Sequence, residues 1–198
     1  MATPEQLEEA QRKVAVAMGA CLALSWAPIV GGVLSGMAQA KLVNSLLVTL
    51  GREPNAETVE TLMWFYNKRT LYIGLAAYAP TLGPAIATVL TYALGQLVIR
   101  CATDDAVDIT NEEDLLSRWT EIEEDIFSGD AVITSYEHFS GRKLPEKMRP
   151  RMQRAIDWMS KMYRRAERLP YVTESQNAIG DAIHRGAKRI RARWKRKN

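Results

Sequence analysis

Two stretches of this chain carry no charged side chain at all, Val14 to Ala40 and Thr70 to Ile99, 27 and 30 residues long. Either exceeds the roughly 20 apolar residues that a helix needs to cross a bilayer. Both are interrupted in the same way. Ala27-Pro28-Ile29-Val30-Gly31 returns 52 positions later as Ala79-Pro80-Thr81-Leu82-Gly83. Proline removes a backbone donor and collides with the carbonyl four residues back, and glycine is a poor helix former. The runs are read as broken helices, with hairpin turns at Pro28, Gly31 and Gly32 and at Pro80, Gly83 and Pro84.

The break matters because of length. Half of either run is about 14 residues, roughly 21 Å of helix against a hydrocarbon core of roughly 30 Å. One half is too short to cross, but two halves can dip in and return. The ends of the runs are basic, at Arg12-Lys13, Lys41, Lys68-Arg69 and Arg100. Basic flanks favour the cytoplasmic side, which points to two hairpins entering a membrane from that face. Small residues also recur every four positions, at Gly32, Gly36 and Ala40 and again at Gly83, Ala87, Thr91 and Gly95. That spacing lines one helix face and lets backbones approach closely, within the chain or between copies of it. Ala/Gly-rich helices pack the same way in soluble bundles, so a soluble core is the competing expectation.

The rest of the chain reads as helix. Thr3-Pro4-Glu5 opens the first, with proline and acid in its first turn. A helix starting near Pro28 stops at Gly51, a left-handed cap with Pro54 beyond it. Asn55 caps the next, whose stripe is Val59, Leu62, Met63 and Tyr66. A helix from the second break runs to about Ala102. Thr110-Asn111-Glu112-Glu113 has the form of a capping box, and Leu115, Leu116, Trp119, Ile122 and Ile126 line the helix it opens. Ala131 to Tyr136 is ambiguous. Pro150 opens a helix with Met148, Met152, Ile156, Met159 and Tyr163 on one face, and Thr173 opens a last one with Ile179, Ile183, Ala187, Ile190 and Trp194. No strand-like alternation occurs. The expected fold is all-α: an apolar hairpin domain over residues 1–130, closed by an acidic amphipathic helix, and a basic helical extension over 131–198.

Charge is segregated along this order. Residues 1–100 carry a net charge of +1, residues 101–141 of −11, and residues 142–198 of +13. Such asymmetry points to an anionic partner. The final helix places Arg185, Lys188, Arg189, Arg191, Arg193, Lys195, Arg196 and Lys197 against its Ile/Trp face. That pattern suits an anionic membrane surface, and it suits nucleic acid or an acidic protein as the alternative.

Catalytic chemistry finds little support. His138 and His184 are the only histidines, and neither has a partner at metal or triad spacing. Asp104, Asp105 and Asp108 lack the ligand order of an EF-hand loop and read as a solvated linker. Cys21 and Cys101, far apart and in apolar surroundings, read as free thiols of a reducing compartment. The N-terminus lacks the basic region of a signal peptide. No nucleophile, base and oxyanion donor assemble, and no cofactor is expected.

Pro28 and Gly31 ahead of a helix bearing Gln39 and Leu46, the stop at Gly51, and Phe65 make up the first half of a familiar layout. The second half is Pro80 and Gly83, the stretch Thr91-Tyr92-Ala93-Leu94-Gly95, and the acidic helix with Leu115, Leu116 and Ile126. Over residues 14–130 this resembles the helical domain of unknown function found C-terminal to bacterial Ras-like GTPases and in YcjF-type membrane proteins, and more distantly the EcsC-like proteins. The resemblance implies a membrane-associated module at the cytoplasmic face that works with a separate small GTPase. The chain itself has no GxxxxGK[ST] phosphate loop, and Asn67-Lys68-Arg69-Thr70 lacks the aspartate of guanine recognition. The family supplies no catalytic residue to carry over.

Overall fold

The computed structural model describes residues 2–23, 28–76, 82–128 and 130–167. Among them are seven helices and no strand: α1 (Pro4–Ala23), α2 (Pro28–Thr49), α3 (Ala56–Ala76), α4 (Gly83–Thr103), α5 (Glu112–Ser128), α6 (Asp130–Ser140) and α7 (Arg149–Glu167). The protein is all-α, as the patterning predicts.

Local chemistry sets most of the helix ends. Thr3 and Gln6 form a reciprocal capping box at the start of α1, the Gln6 N–H donating to Thr3 Oγ1 (3.2 Å) and the Thr3 N–H to Gln6 Oε1 (2.7 Å), which satisfies two orphan donors at once. At the end of α2, Gly51 takes φ of 74°. Its N–H bonds to Val48 O (3.1 Å) and the Arg52 N–H to Leu47 O (2.9 Å), the paired bonds of a Schellman motif. Asn55 Oδ1 accepts the Thr58 N–H at 2.7 Å and starts α3. The cap of α5 is Asn111, not Thr110: Asn111 Oδ1 accepts the Glu113 N–H at 2.9 Å, while both donors of Thr110 turn to Asp108. The ambiguous stretch after residue 130 is the short helix α6.

The breaks differ in detail from the expectation. Pro28 is the first residue of α2, where its missing N–H costs nothing. Gly31 and Gly32, expected at the turn, lie inside α2, and Gly83 and Pro84 are the first residues of α4. Pro80 falls outside the described residues. Because α4 continues past Arg100 to Thr103, it has 21 residues, about 31 Å of helix. It ends within a residue of the expected Ala102, and it is the one described helix long and apolar enough to cross a membrane.

That helix is also the axis of the fold. Residues 89 to 99 of α4 are buried without exception, which explains why it is apolar all round and not on one stripe. The other helices cover it. α1 runs antiparallel to α4, as the contacts Gln11–Gln96 and Cys21–Thr91 require. α3 also packs on α4, and the Tyr66 hydroxyl donates to Leu90 O across their interface at 2.9 Å. Trp119 of α5 stands edge-on to Phe65 and Tyr66 of α3, with ring centroids 6.3 Å apart in each case. Tyr136 of α6 lies over Gly19 of α1. From α7, Met152, Ala155, Ile156, Met159 and Tyr163 point into the same core, which is continuous from Ala10 to Tyr163 across residue 130. Leu116, read as part of the α5 stripe, is instead 37% exposed.

Candidate functional site

The chemistry of the described bundle is concentrated at the end where α2 meets α3 and α4 meets α5. The Schellman turn at Gly51 projects Arg52 toward the C-terminus of α4. There its Nε donates to Ala102 O (3.0 Å) and its Nη2 to Asp104 O (3.4 Å) and Asp105 Oδ1 (2.6 Å). A cation at this position satisfies carbonyls that have no partner inside the helix and complements the helix dipole. A chain of alternating charge continues from it. Asp104 pairs with Arg118, Arg118 with Glu121 (2.6 Å), Glu121 with Arg100 (3.2 Å), and Arg100 with Asp125. Lys68, only 14% exposed, pairs with Glu112 at 2.6 Å and lies over the Trp64 ring. Isolated surface pairs contribute about 0–1 kcal/mol each; the shared partners here form a network, which fixes α5 in register on α4.

This network accounts for the acidic segment. Asp104 and Asp105, read from sequence as a solvated linker, are counter-ions of Arg118 and Arg52, and Glu121 and Asp125 face Arg100. Most of the basic flanks that suggested a cytoplasmic orientation have partners within the chain, and Arg12, Lys68 and Arg100 pair with carboxylates. Arg12 bonds to Glu8 and Glu9, the Lys13 ammonium donates to Thr49 Oγ1 (2.6 Å), and Arg69 stacks on Phe65 at 5.6 Å. Lys41 alone of those flanks is simply exposed. The partners could not be named without the fold, since Arg52 and Asp105 are 53 positions apart.

A second polar feature runs along the α1–α4 interface. The Gln11 and Gln96 side-chain amides bond reciprocally at 3.2 and 2.8 Å, and Cys21 Sγ lies 3.2 Å from Thr91 Oγ1. Burial raises the Cys21 thiol, an effect opposed by the Thr91 hydrogen bond. Burial also pushes the Cys101 thiol up to about 12. Between these contacts Val14 presses onto Gly95: a Cβ there would sit 2.4 Å from Val14 Cγ2. Gly95 and Thr91 thus meet α1 of the same chain. Ala40 and Ala87 are half-buried; Gly36 lies in α2, with its surroundings outside the described residues.

An open cleft of about 330 Å³ lies beside the charge network, lined by Arg52, Glu53, Thr58 and residues 107–110. Its two main polar groups are already engaged, Arg52 as above and Asp108 by the Thr110 N–H and hydroxyl. On the far side of α5, the Trp119 indole donates to the Tyr163 hydroxyl (3.1 Å), which in turn donates to Glu123. Both bonds link α5 to α7. His138 is exposed on α6 against Phe139, 4.7 Å between ring centroids. No group of His, Cys, Asp and Glu among the described residues has the geometry of a metal site. The basic helix with Arg185, Lys188, Arg189, Arg191, Arg193, Lys195, Arg196 and Lys197 lies outside the described residues.

Comparison with family models, curated proteins and solved structures returns no match. The likeness to the GTPase-associated helical domain therefore rests on its motifs alone.

Proposed function

We propose that the protein is a non-enzymatic helical module that associates with the cytoplasmic face of a membrane as an accessory to a separate small GTPase. The observation that carries the membrane part is α4, long and apolar enough to cross a bilayer and drawn from one of two charge-free runs. The resemblance over residues 14–130 is what supports the GTPase. The packing bears on the depth of contact. Of the apolar window in α4, 89% is covered by the protein's own helices, and α5 brings Arg118, Glu121 and Asp125 alongside it. Carrying α4 into hydrocarbon in this arrangement would take those charges along, at roughly 2.5–3.5 kcal/mol for each group near the centre. Association by surface docking fits the bundle better than a full crossing by α4.

Fractionation of cells tests the reading. The protein is expected in the membrane pellet at low ionic strength and in the supernatant after carbonate washing. Recovery wholly in the soluble fraction at low salt would sink the membrane assignment, and retention through carbonate would favour insertion over docking. The same enclosure of α4 favours a second reading, a soluble adaptor whose basic C-terminal segment binds nucleic acid or an acidic protein. That reading expects RNA or DNA binding that weakens steeply with salt and is lost on deletion of residues 173–198.

A further inference from the structure

The cations of the described bundle fall into two groups. Around α3 to α5 most are engaged internally: Arg52, Lys68, Arg100 and Arg118 each have a carboxylate partner and Arg69 stacks on Phe65, whereas Lys41 of α2 is exposed. Past Arg149, those on the outer side of α7, and Lys147 in the turn before it, are not paired in this way. Lys147, Arg151, Arg154, Lys161 and Arg164 are exposed. Among the described residues none of them has a carboxylate within ion-pair reach, the nearest basic neighbour to be paired being Arg149 with Glu137. The reason is geometric. α7 turns Met152, Ala155, Ile156, Met159 and Tyr163 to the core, so positions 151, 154, 161 and 164, spaced by three, seven and three, lie outside the core stripe, with Lys147 in the turn just before the helix.

We infer that this face of α7 is the surface through which the protein docks on an anionic bilayer, an inference that rests on the membrane reading above. Between Arg142 and Arg164 the chain carries eight basic and two acidic side chains. The acids are Glu146 and Asp157, and Asp157 is held by the Gln153 amide at 3.1 Å. Of the cations, Arg154 uses its Nε on Pro150 O (3.2 Å) and keeps its remaining donors. Four to eight Lys or Arg on one amphipathic helix is the composition that anionic headgroups attract. From Arg151 to Arg164 the stripe is about 20 Å long at 1.5 Å per residue, a row that fits a plane of phosphates. Trp158 lies half-buried between Arg154 and Lys161, and an indole among cations suits the boundary between headgroup and acyl chain. The indole among the cations makes a lipid surface a better fit than a nucleic-acid groove.

The test uses the full chain and vesicle flotation, with vesicles of phosphatidylcholine alone and of phosphatidylcholine with phosphatidylglycerol. The variant Arg151→Gln/Lys161→Gln removes two charges from the stripe. Arg12→Gln/Lys41→Gln removes two exposed charges from α1 and α2 and serves as the matched control. Each cation near an anionic surface is worth about fivefold in partitioning, so the α7 variant should bind anionic vesicles about 25-fold more weakly than wild type. The control should change it by less than about threefold if these side chains stay clear of the surface. Unchanged helicity by circular dichroism would exclude misfolding, as both side chains of the α7 variant are exposed. If wild type floats with anionic vesicles and the α7 variant floats equally well, or the control loses as much, the α7 surface is wrong while membrane association stands. If wild type binds neither vesicle, the membrane reading falls and this inference with it. Preference for duplex RNA or DNA over anionic vesicles at equal phosphate would overturn the choice of partner.

Discussion

Replacing Gly95 by alanine adds one methyl group at the point where α1 lies closest to α4. That Cβ would meet Val14 Cγ2 at 2.4 Å, Cγ1 at 2.8 Å and Cβ at 3.2 Å, against an ordinary carbon–carbon contact of about 3.5–4.0 Å. Val14 is fully buried and β-branched, with one strongly preferred rotamer in a helix; turning it only exchanges one methyl for the other. The helices must then separate by up to about 1 Å, which would also stretch the Gln11–Gln96 pair. Overpacking of this kind costs about 1–3 kcal/mol, offset by the roughly 0.5–1 kcal/mol that alanine gains over glycine inside a helix. Gly95→Ala is therefore expected to destabilise the protein by about 1–2 kcal/mol, which lowers Tm by about 2–8 °C in a chain of this size. Far-UV circular dichroism during thermal and urea unfolding measures it. Val14→Ala should by itself cost roughly 2 kcal/mol for two buried methyl groups. The double variant should be more stable than the two single losses predict, by at least about 1 kcal/mol, because the new methyl fills part of the space vacated. A Gly95→Ala protein that melts at or above wild type would refute the close-approach argument, and strict additivity would show that Val14 is not what the methyl strikes.

Other outcomes follow from the same structure. Cys101, buried and with its thiol pushed up to about 12, should resist a thiol-reactive dye at pH 8 in the folded protein and label within seconds once urea unfolds it; rapid labelling of two thiols without denaturant would contradict the burial. Asn111→Ala should remove the cap of α5 at about 1 kcal/mol, whereas Thr110→Ala should cost less, and equal urea midpoints for the two would count against the assignment. Glu137 accepts the Leu144 N–H at 2.9 Å and the Arg149 guanidinium at 2.6 Å. Its carboxyl is held below the usual 4.5, first by that backbone bond, with Arg149 adding to it. The unfolded chain then binds this proton more tightly, so the contribution is full above pH 4.5 and is lost as pH falls through the lower folded value. Melting curves from pH 7 to pH 3 should show wild type and Glu137→Gln converging only at the acid end.

Features of this chain that depend on near neighbours are local. Helix starts at Pro28 and Asn55, the stop at Gly51 and the apolar stripe Leu115, Trp119, Ile122 and Ile126 depend on a few neighbouring residues and on the 3.6-residue period. Those features were legible in the chain. So were the charge-free runs, since absence of charge is a property of composition. What covers such a run is not, because α4 would look the same with lipid around it as with α1, α2, α3 and α5. Likewise the spacing of Thr91 and Gly95 marks a face for close approach, but that the visitor is Val14 of α1 depends on a contact 81 positions away. Asp105 reads as a linker acid until the turn at Gly51 brings Arg52 to it. The sequence by itself determined six of the seven described helices, most of their ends and two runs that must be kept from water. Tertiary structure alone decided that one run forms the axis of the bundle and which charges are spent holding α5 against it. It also left the outer face of α7 with its cations unpaired, since long-range pairing is set by packing of whole helices and no local rule encodes it.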